Sequence, residues 1–428
     1  MPSARSTTVR DLRRSNRSRT LWALYLHGPL TYQEVASATG VSLATVSNVI
    51  GDLLRTGSVV EVGSEGSNGG RPRGLFHIRS DFGYVLGVDV GETAVMVELF
   101  DLGMQALASH RSLTRHSRLD PDEVVEQVIE GIEAVVAESD VDDADVLGVG
   151  VGVPGLVERR PADAGAQDAG AQVAEAVVYD QSIGWGTVPI ERMLRDRTAL
   201  PLVVDNGANT LGQAERWFGA AKDRGNAIIV LLGAGVGASI VSTPDGDTGA
   251  FAAELGHTKV VAGGRECVCG AKGCLEAYAG ADAIVSRYDH LKRRTRAADP
   301  REVEERTLAI LCADDSDHVA TQVVDELVEY LGVGLGNLVN LFTPERIVIG
   351  GWLGHALDDS VLPRIRAAVG ENSLARPFER LELVRAQLGT DAVALGAATL
   401  PVAEFLHSGG VRARSAAASH PQAAEPLA

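Results

Sequence analysis

Three cysteines, Cys267, Cys269 and Cys274, lie close together downstream of His257. One imidazole and three thiolates make the donor set of a closed tetrahedral zinc site, and Gly263, Gly264, Gly270 and Gly273 let the loop wrap an ion. With every coordination position filled by protein, such a zinc is structural: it fixes a loop and activates no water. The competing reading is three buried or redox-active thiols, although a cluster this dense is prone to oxidation without metal. The remaining cysteine, Cys312, stands alone and reads as core.

Two glycine-rich turns each follow an apolar run: Asp89-Val90-Gly91-Glu92-Thr93 and Gly233-Ala234-Gly235-Val236-Gly237. Turns of this kind can aim backbone N–H groups at phosphate. Neither fits the P-loop or the dinucleotide fingerprint, so taken alone each is equally well a tight turn between strands.

The elements that must carry these residues fall into two textures. Residues 10–27 hold a helical apolar pattern that ends at Gly28-Pro29. Thr31 with Glu34 forms a capping box opening a helix over 32–38, residues 39–41 turn, and Ser42 caps a third helix to about residue 54. This is helix-turn-helix spacing, with Leu43, Ala44, Thr45, Ser47 and Asn48 facing outward. Strands at 58–62 and 75–78 add a wing whose tip carries Arg71 and Arg73. From Gly83 the pattern alternates strand and helix. Strands are expected at 84–90, 94–100, 146–153, 202–205, 227–232, 236–242 and 346–349, and helices at 121–138, 208–217, 319–341 and 392–405. A segment repeated at 163–167 and 168–172 reads as a flexible loop, and the end of the chain as a disordered tail.

Charge divides the chain at the same place. The 428 residues carry a net charge of −18, yet residues 1–79 hold ten arginines, no lysine and five acids, a balance of +5 that leaves −23 for the remainder. A basic head, including Arg5, Arg10, Arg13, Arg14, Arg17 and Arg19, on an acidic body is what a double-stranded-DNA-binding module joined to a domain with another task presents. No apolar run is long enough to span a membrane and no signal peptide is visible, so a cytoplasmic protein is expected.

In chain order, GVDVGET from Gly87, GVPG from Gly152, VDNGAN from Val204, GAGVG, ELGH from Glu254, CVCGAKGCLE from Cys267 and PERIVIGG from Pro344 resemble the ROK (repressor, open reading frame, kinase) family. The resemblance implies an α/β, actin-like, two-lobed sugar-kinase fold, preceded here by the winged helix-turn-helix. The expected divisions are a head at 1–79, a first lobe at 80–202 completed by a helix at 391–407, a second lobe with the zinc loop at 203–390, and a tail at 408–428. It places Asn206, Glu254, His257 and Glu276 around a sugar, with His257 also a zinc ligand; solvated surface charge is the bland alternative for the two glutamates.

The chain departs from the kinase pattern at three places. Gly207 stands where the kinases carry the aspartate that takes the sugar hydroxyl proton, Glu92 and Ala94 replace the Gly and Lys of the first phosphate turn, and Ala234 replaces a hydroxyl residue in the second. Losing a positioned base alone costs about 10²–10⁴ in rate. The expected function is therefore a sugar-responsive transcription factor, usually a repressor, acting as a homodimer or homotetramer on operator DNA without phosphorylating its sugar. A sugar kinase that also binds DNA and a DNA-binding scaffold that has lost its ligand are the alternatives. Ser42, Thr45, Ser47, Asn48, Arg71 and Arg73 are the expected DNA-contacting residues.

Overall fold

Capping chemistry starts the N-terminal helices where the sequence places them. Helix α1 (Val9–His27) opens on Thr8, whose hydroxyl accepts the Asp11 N–H while the Asp11 carboxylate accepts the Thr8 N–H. Helix α2 (Tyr32–Thr39) repeats the device with Thr31 and Glu34, and Gly40 ends it in the left-handed conformation (φ +67°) that glycine adopts without steric cost. Helix α3 (Leu43–Thr56) follows, then an antiparallel hairpin of β1 (Val59–Glu65) and β2 (Arg73–Ile78). Leu21, Leu24, Val35, Val46, Ile50, Leu53 and Phe76 close the core of this head. The structure, a computed structural model, describes residues 8–65, 73–114, 119–161, 174–242, 249–294, 300–314 and 316–412. Arg5, Arg71 and the repeated segment at 163–172 lie outside them.

The first lobe is a five-stranded sheet in the order β10-β6-β3-β4-β5. Strands β3 (Tyr84–Val90), β4 (Ala94–Asp101) and β5 (Ala106–Leu113) form a meander. Helix α4 (Pro121–Ser139) then crosses to β6 (Val146–Val153), which runs parallel to β3 and is buried at every residue, as a strand covered on both faces must be. A small antiparallel sheet of β7 (Leu156–Pro161), β8 (Ala174–Asp180) and β9 (Trp185–Val188) and helix α5 (Ile190–Arg195) precede β10 (Leu202–Asn206). Strand β10 pairs in parallel with β6, so the first sheet runs past residue 202, where the sequence reading ended the lobe.

Helix α6 (Gly207–Phe218) leads into the second sheet, ordered β13-β12-β11-β14-β15. Its strands are β11 (Asn226–Leu232), β12 (Val236–Ser242), β13 (Gly249–Ala253), β14 (Arg346–Gly350) and β15 (Glu382–Arg385). Between them run α7 (Glu276–Ala279), α8 (Ala281–Lys292), α9 (Pro300–Leu311) and α10 (His318–Phe342), then α11 (Gly351–Ala356), α12 (Val361–Glu371) and α13 (Ala375–Glu379). Cys312, expected in the core, is exposed just beyond α9.

The last helix, α14 (Ala392–His407), returns to lie on the first sheet and alongside α6. Both approaches depend on missing side chains: a Cβ at Gly150 would strike the Ala397 carbonyl, and one at Gly396 the Thr210 carbonyl. Both helices run from the cleft between the lobes to the head. Asn206, Gly207, Asp391 and Val393 line that cleft at one end, while Trp217, Phe405 and Leu406 join the core of the head at the other. There the Trp22 ring meets Trp217 edge-on at 5.3 Å, and Tyr25 meets it at 5.6 Å. Residues 409 and 412, which the sequence reading assigned to the tail, are bonded to the head and the first lobe. Arg17 donates to the Gly409 carbonyl at 2.8 Å, and Arg412 donates to Ala144, Asp145 and Phe82.

Candidate functional site

The four metal-type donors converge. His257 ends a short 3-10 turn after β13, and the loop to α7 brings Cys267, Cys269 and Cys274 beside it, with all four ligand atoms within 4.8 Å of one another. Cys269 Sγ and Cys274 Sγ are 3.7 Å apart, and Cys267 Sγ is 3.7 Å from His257 Nδ1. Two sulfurs each about 2.3 Å from a tetrahedral zinc would lie about 3.8 Å apart, so the geometry fits that ion. Lys259 donates to Cys274 Sγ at 2.8 Å, placing a cation against the sulfur cluster. Tight loop turns make the convergence possible: Gly263, Gly270 and Gly273 all have φ between +69° and +82°.

The same loop sets Glu276. Its Oε1 lies 3.8 Å from Cys267 Sγ, and its Oε2 accepts the Val236 N–H of the second glycine turn at 3.1 Å. Glu276 faces a cleft of about 490 Å³ between the lobes, together with Asn206, Glu254 and His257. The sugar residues expected from the family motifs therefore share one cavity. Asn206 is also the N-cap of α6: its Oδ1 accepts from Ala208 N at 2.7 Å and its Nδ2 donates to the Gly155 carbonyl at 2.6 Å. Glu254 is exposed on the cleft wall.

Gly207 opens α6 with free space at its α-carbon: an added Cβ would come no closer than 3.7 Å to Val153 O and Val393 Cγ1. Backbone strain does not impose the glycine, and a Cβ would be in ordinary van der Waals contact there. Across the cleft Glu92 reaches over from the first turn, its Oε1 3.6 Å from where a Cβ of Gly235 would stand. Burial, with Glu276, Asp180 and Asp282 nearby, pushes its carboxyl up to about 8. Three of the turn amides are engaged internally. Gly91 N–H donates to Ala94 O, Gly233 N–H to Gly235 O, and Val236 N–H to Glu276.

Among the described residues lining the cleft, Asp89, Glu92, Asp180, Glu254, Glu276, Glu304 and Asp391 face a single arginine, Arg111. Burial and the Asp391 carboxylate push Asp89 up to about 7, and burial, Asp391 and Asp89 do the same to Glu98. Asp180, Glu304, Trp352 and Asp391 were not anticipated as cleft residues; they sit in no motif and meet only through the crossing of the lobes. The head presents Ser47, Asn48 and Arg73 to solvent, with Thr45 half-buried and Ser42 engaged in capping α3.

The ROK family model matches residues 85–404, which take in both sheets and every cleft residue named above. The chain belongs to the ROK family. A xylose repressor from Caldicellulosiruptor bescii is 27% identical over 380 residues, 87% of this chain and 92% of the repressor. A glucokinase from Streptomyces coelicolor is 30% identical over 338 residues, 74% of this chain and 97% of the kinase. A solved ROK family transcriptional regulator, a homologue of the E. coli MLC protein, superposes with TM-score 0.71 over 93% of this chain and 98% of its own, at 24% identity. That last likeness is one of fold. The glucokinase match covers about the share of the chain that the ROK region occupies, whereas the repressor match exceeds what the residues after the head supply and so takes in part of the head.

Proposed function

We propose that this ROK protein is a sugar-responsive transcriptional repressor whose head binds operator DNA and whose cleft binds a sugar without phosphorylating it. The observation that carries the reading is the joining of a winged head to a cleft that keeps Asn206, Glu254, His257 and Glu276 but holds Gly207 at the base position and Glu92 across the phosphate turns. Phosphoryl transfer depends on positioning and charge stabilisation; the Glu92 side chain obstructs the first where triphosphate must lie, and Ala94 supplies no cation for the second. The glucokinase similarity raises the alternative of an active kinase; Gly207, Glu92 and Ala94 together argue against it.

In this reading Ser47, Asn48 and Thr45 of α3 enter the major groove, with Ser42 fixing the start of that helix and Arg73 and Arg71 of the wing reaching phosphate or the minor groove. A homodimer or homotetramer pairs two heads on a palindromic operator. His257, Cys267, Cys269 and Cys274 hold a zinc that stiffens the loop bearing Glu276. Among the described residues no helix is long and apolar enough to cross a membrane, and we place the protein in the cytoplasm.

The test pairs two assays on the purified chain: operator binding against a sugar panel, and ADP formation with the same sugars. The expected result is sugar-dependent operator release with ADP formation at background. Glu254→Ala is expected to keep zinc and operator affinity while losing the response. Sugar-dependent ADP formation by the wild-type chain overturns the non-kinase reading.

A further inference from the structure

The sugar cleft does not end at Glu276. A second chamber of about 870 Å³ opens from it, walled by the zinc loop, α8 and α9, and the two share Glu92, Gln181, Ser182, Glu276, Glu304 and Trp352 along their junction. Ligand sites commonly measure about 300–1,000 Å³, so each chamber by itself is of ligand size.

The chemistry of the walls selects the ligand. Arg265 and Arg287 border the second chamber, but both guanidiniums are committed to Glu326, at 2.6 Å and 2.7 Å. The junction itself carries two carboxyl groups, Glu92 and Glu276, which converge on Gly235 from opposite lobes. A phosphate entering here would meet the acidic side chains of Asp282 and Glu304 on the chamber wall in a partly dehydrated site. Carboxylates, the Gln181 amide and the Ser182 and Ser286 hydroxyls instead match the hydroxyls of an uncharged polyol. Trp352 is half-buried at the junction, its indole edge against the Gly233 turn, and offers aromatic surface where the chambers meet.

We propose that the effector is an unphosphorylated saccharide of at least two rings, one ring among Asn206, Glu254 and Glu276 and the next beyond Trp352 in the second chamber. This rests on the repressor reading above, and the experiment separates the two. Calorimetry on the full-length protein would compare pentoses, hexoses and N-acetylhexosamines with their phosphates and with their α- and β-linked dimers, with operator release read in parallel and ATP included as a competitor. The expected outcome is a dimer binding at least about tenfold more tightly than its monomer, and a sugar phosphate at least about tenfold more weakly. Ser286→Trp, which fills the second chamber, should bring dimer and monomer together, and Asp282→Asn should narrow the phosphate penalty.

If a monosaccharide binds as tightly as its dimers and releases operator, or if a sugar phosphate binds as well as the free sugar, the repressor reading stands and this inference is overturned. Competition between ATP and the dimer for the second chamber overturns it too. Failure of every saccharide to bind or to release operator removes both.

Discussion

At the scale of single residues, the site is defined by carboxyl groups crowded into one cleft. Asp89 and Glu98 hold their protons to about pH 7, because burial and the neighbouring Asp391 penalise their charged forms. In the unfolded chain both titrate near pH 4, so between about pH 4 and pH 7 the native state binds protons that the unfolded state has released, and stability falls as pH rises through that window. Asp89→Asn removes one such group. Its melting temperature should fall less between pH 5 and pH 8 than that of the wild type in scanning calorimetry, and an unchanged slope would show that Asp89 does not titrate there. The sequence displayed Glu92, Ala94 and Gly207 as departures from a motif, which local spacing alone reveals. It could not display Asp391 or Asp180 as neighbours of Asp89 and Glu92, because those contacts arise only when α14 and the β8–β9 turn close on the cleft.

At the scale of elements, the loop between His257 and Glu276 is the part of the site that regular secondary structure does not hold. Its four donors were legible because their types and spacing are those of a metal site. The further link from Cys267 through Glu276 to Val236 was not, since it depends on which way a side chain turns. A loop with this many glycines would gain much of its order from a bound ion. Cys269→Ser should therefore reduce bound zinc from about one per chain, lower the melting temperature and weaken sugar binding together. Zinc content by mass spectrometry, with melting and calorimetry on the same preparation, checks this, and full zinc loading in the variant would remove Cys269 from the ligand set. The strands and long helices were read closely from periodicity; β7, β8, β9, α5 and the short helices α11 and α13 were not, because segments this brief carry too little pattern.

At the scale of the whole molecule, α6 and α14 join the cleft to the head, a connection no sequence pattern announces. A ligand can act on DNA only by favouring one of two arrangements, and a shift of either helix at Asn206 or Asp391 would be carried to the core that Trp217 and Phe405 share with α1. Trp217→Ala should destabilise the protein by about 3 kcal/mol, leave sugar affinity within about twofold and blunt sugar-induced operator release. Release as complete as wild type would show that the signal takes another route. The same seat also limits how this protein can be divided. Val85, Phe100, Trp217, Val402 and Phe405 are all at most 3% or 4% exposed, and they share a core with Leu21 and Leu24 of α1. Removing the head would uncover that apolar face to solvent. A ROK kinase that acquired such a head, or a repressor that shed one, had to change the outer ends of α6 and α14 at the same time; gene fusion alone would have joined two folds without giving them a common interior.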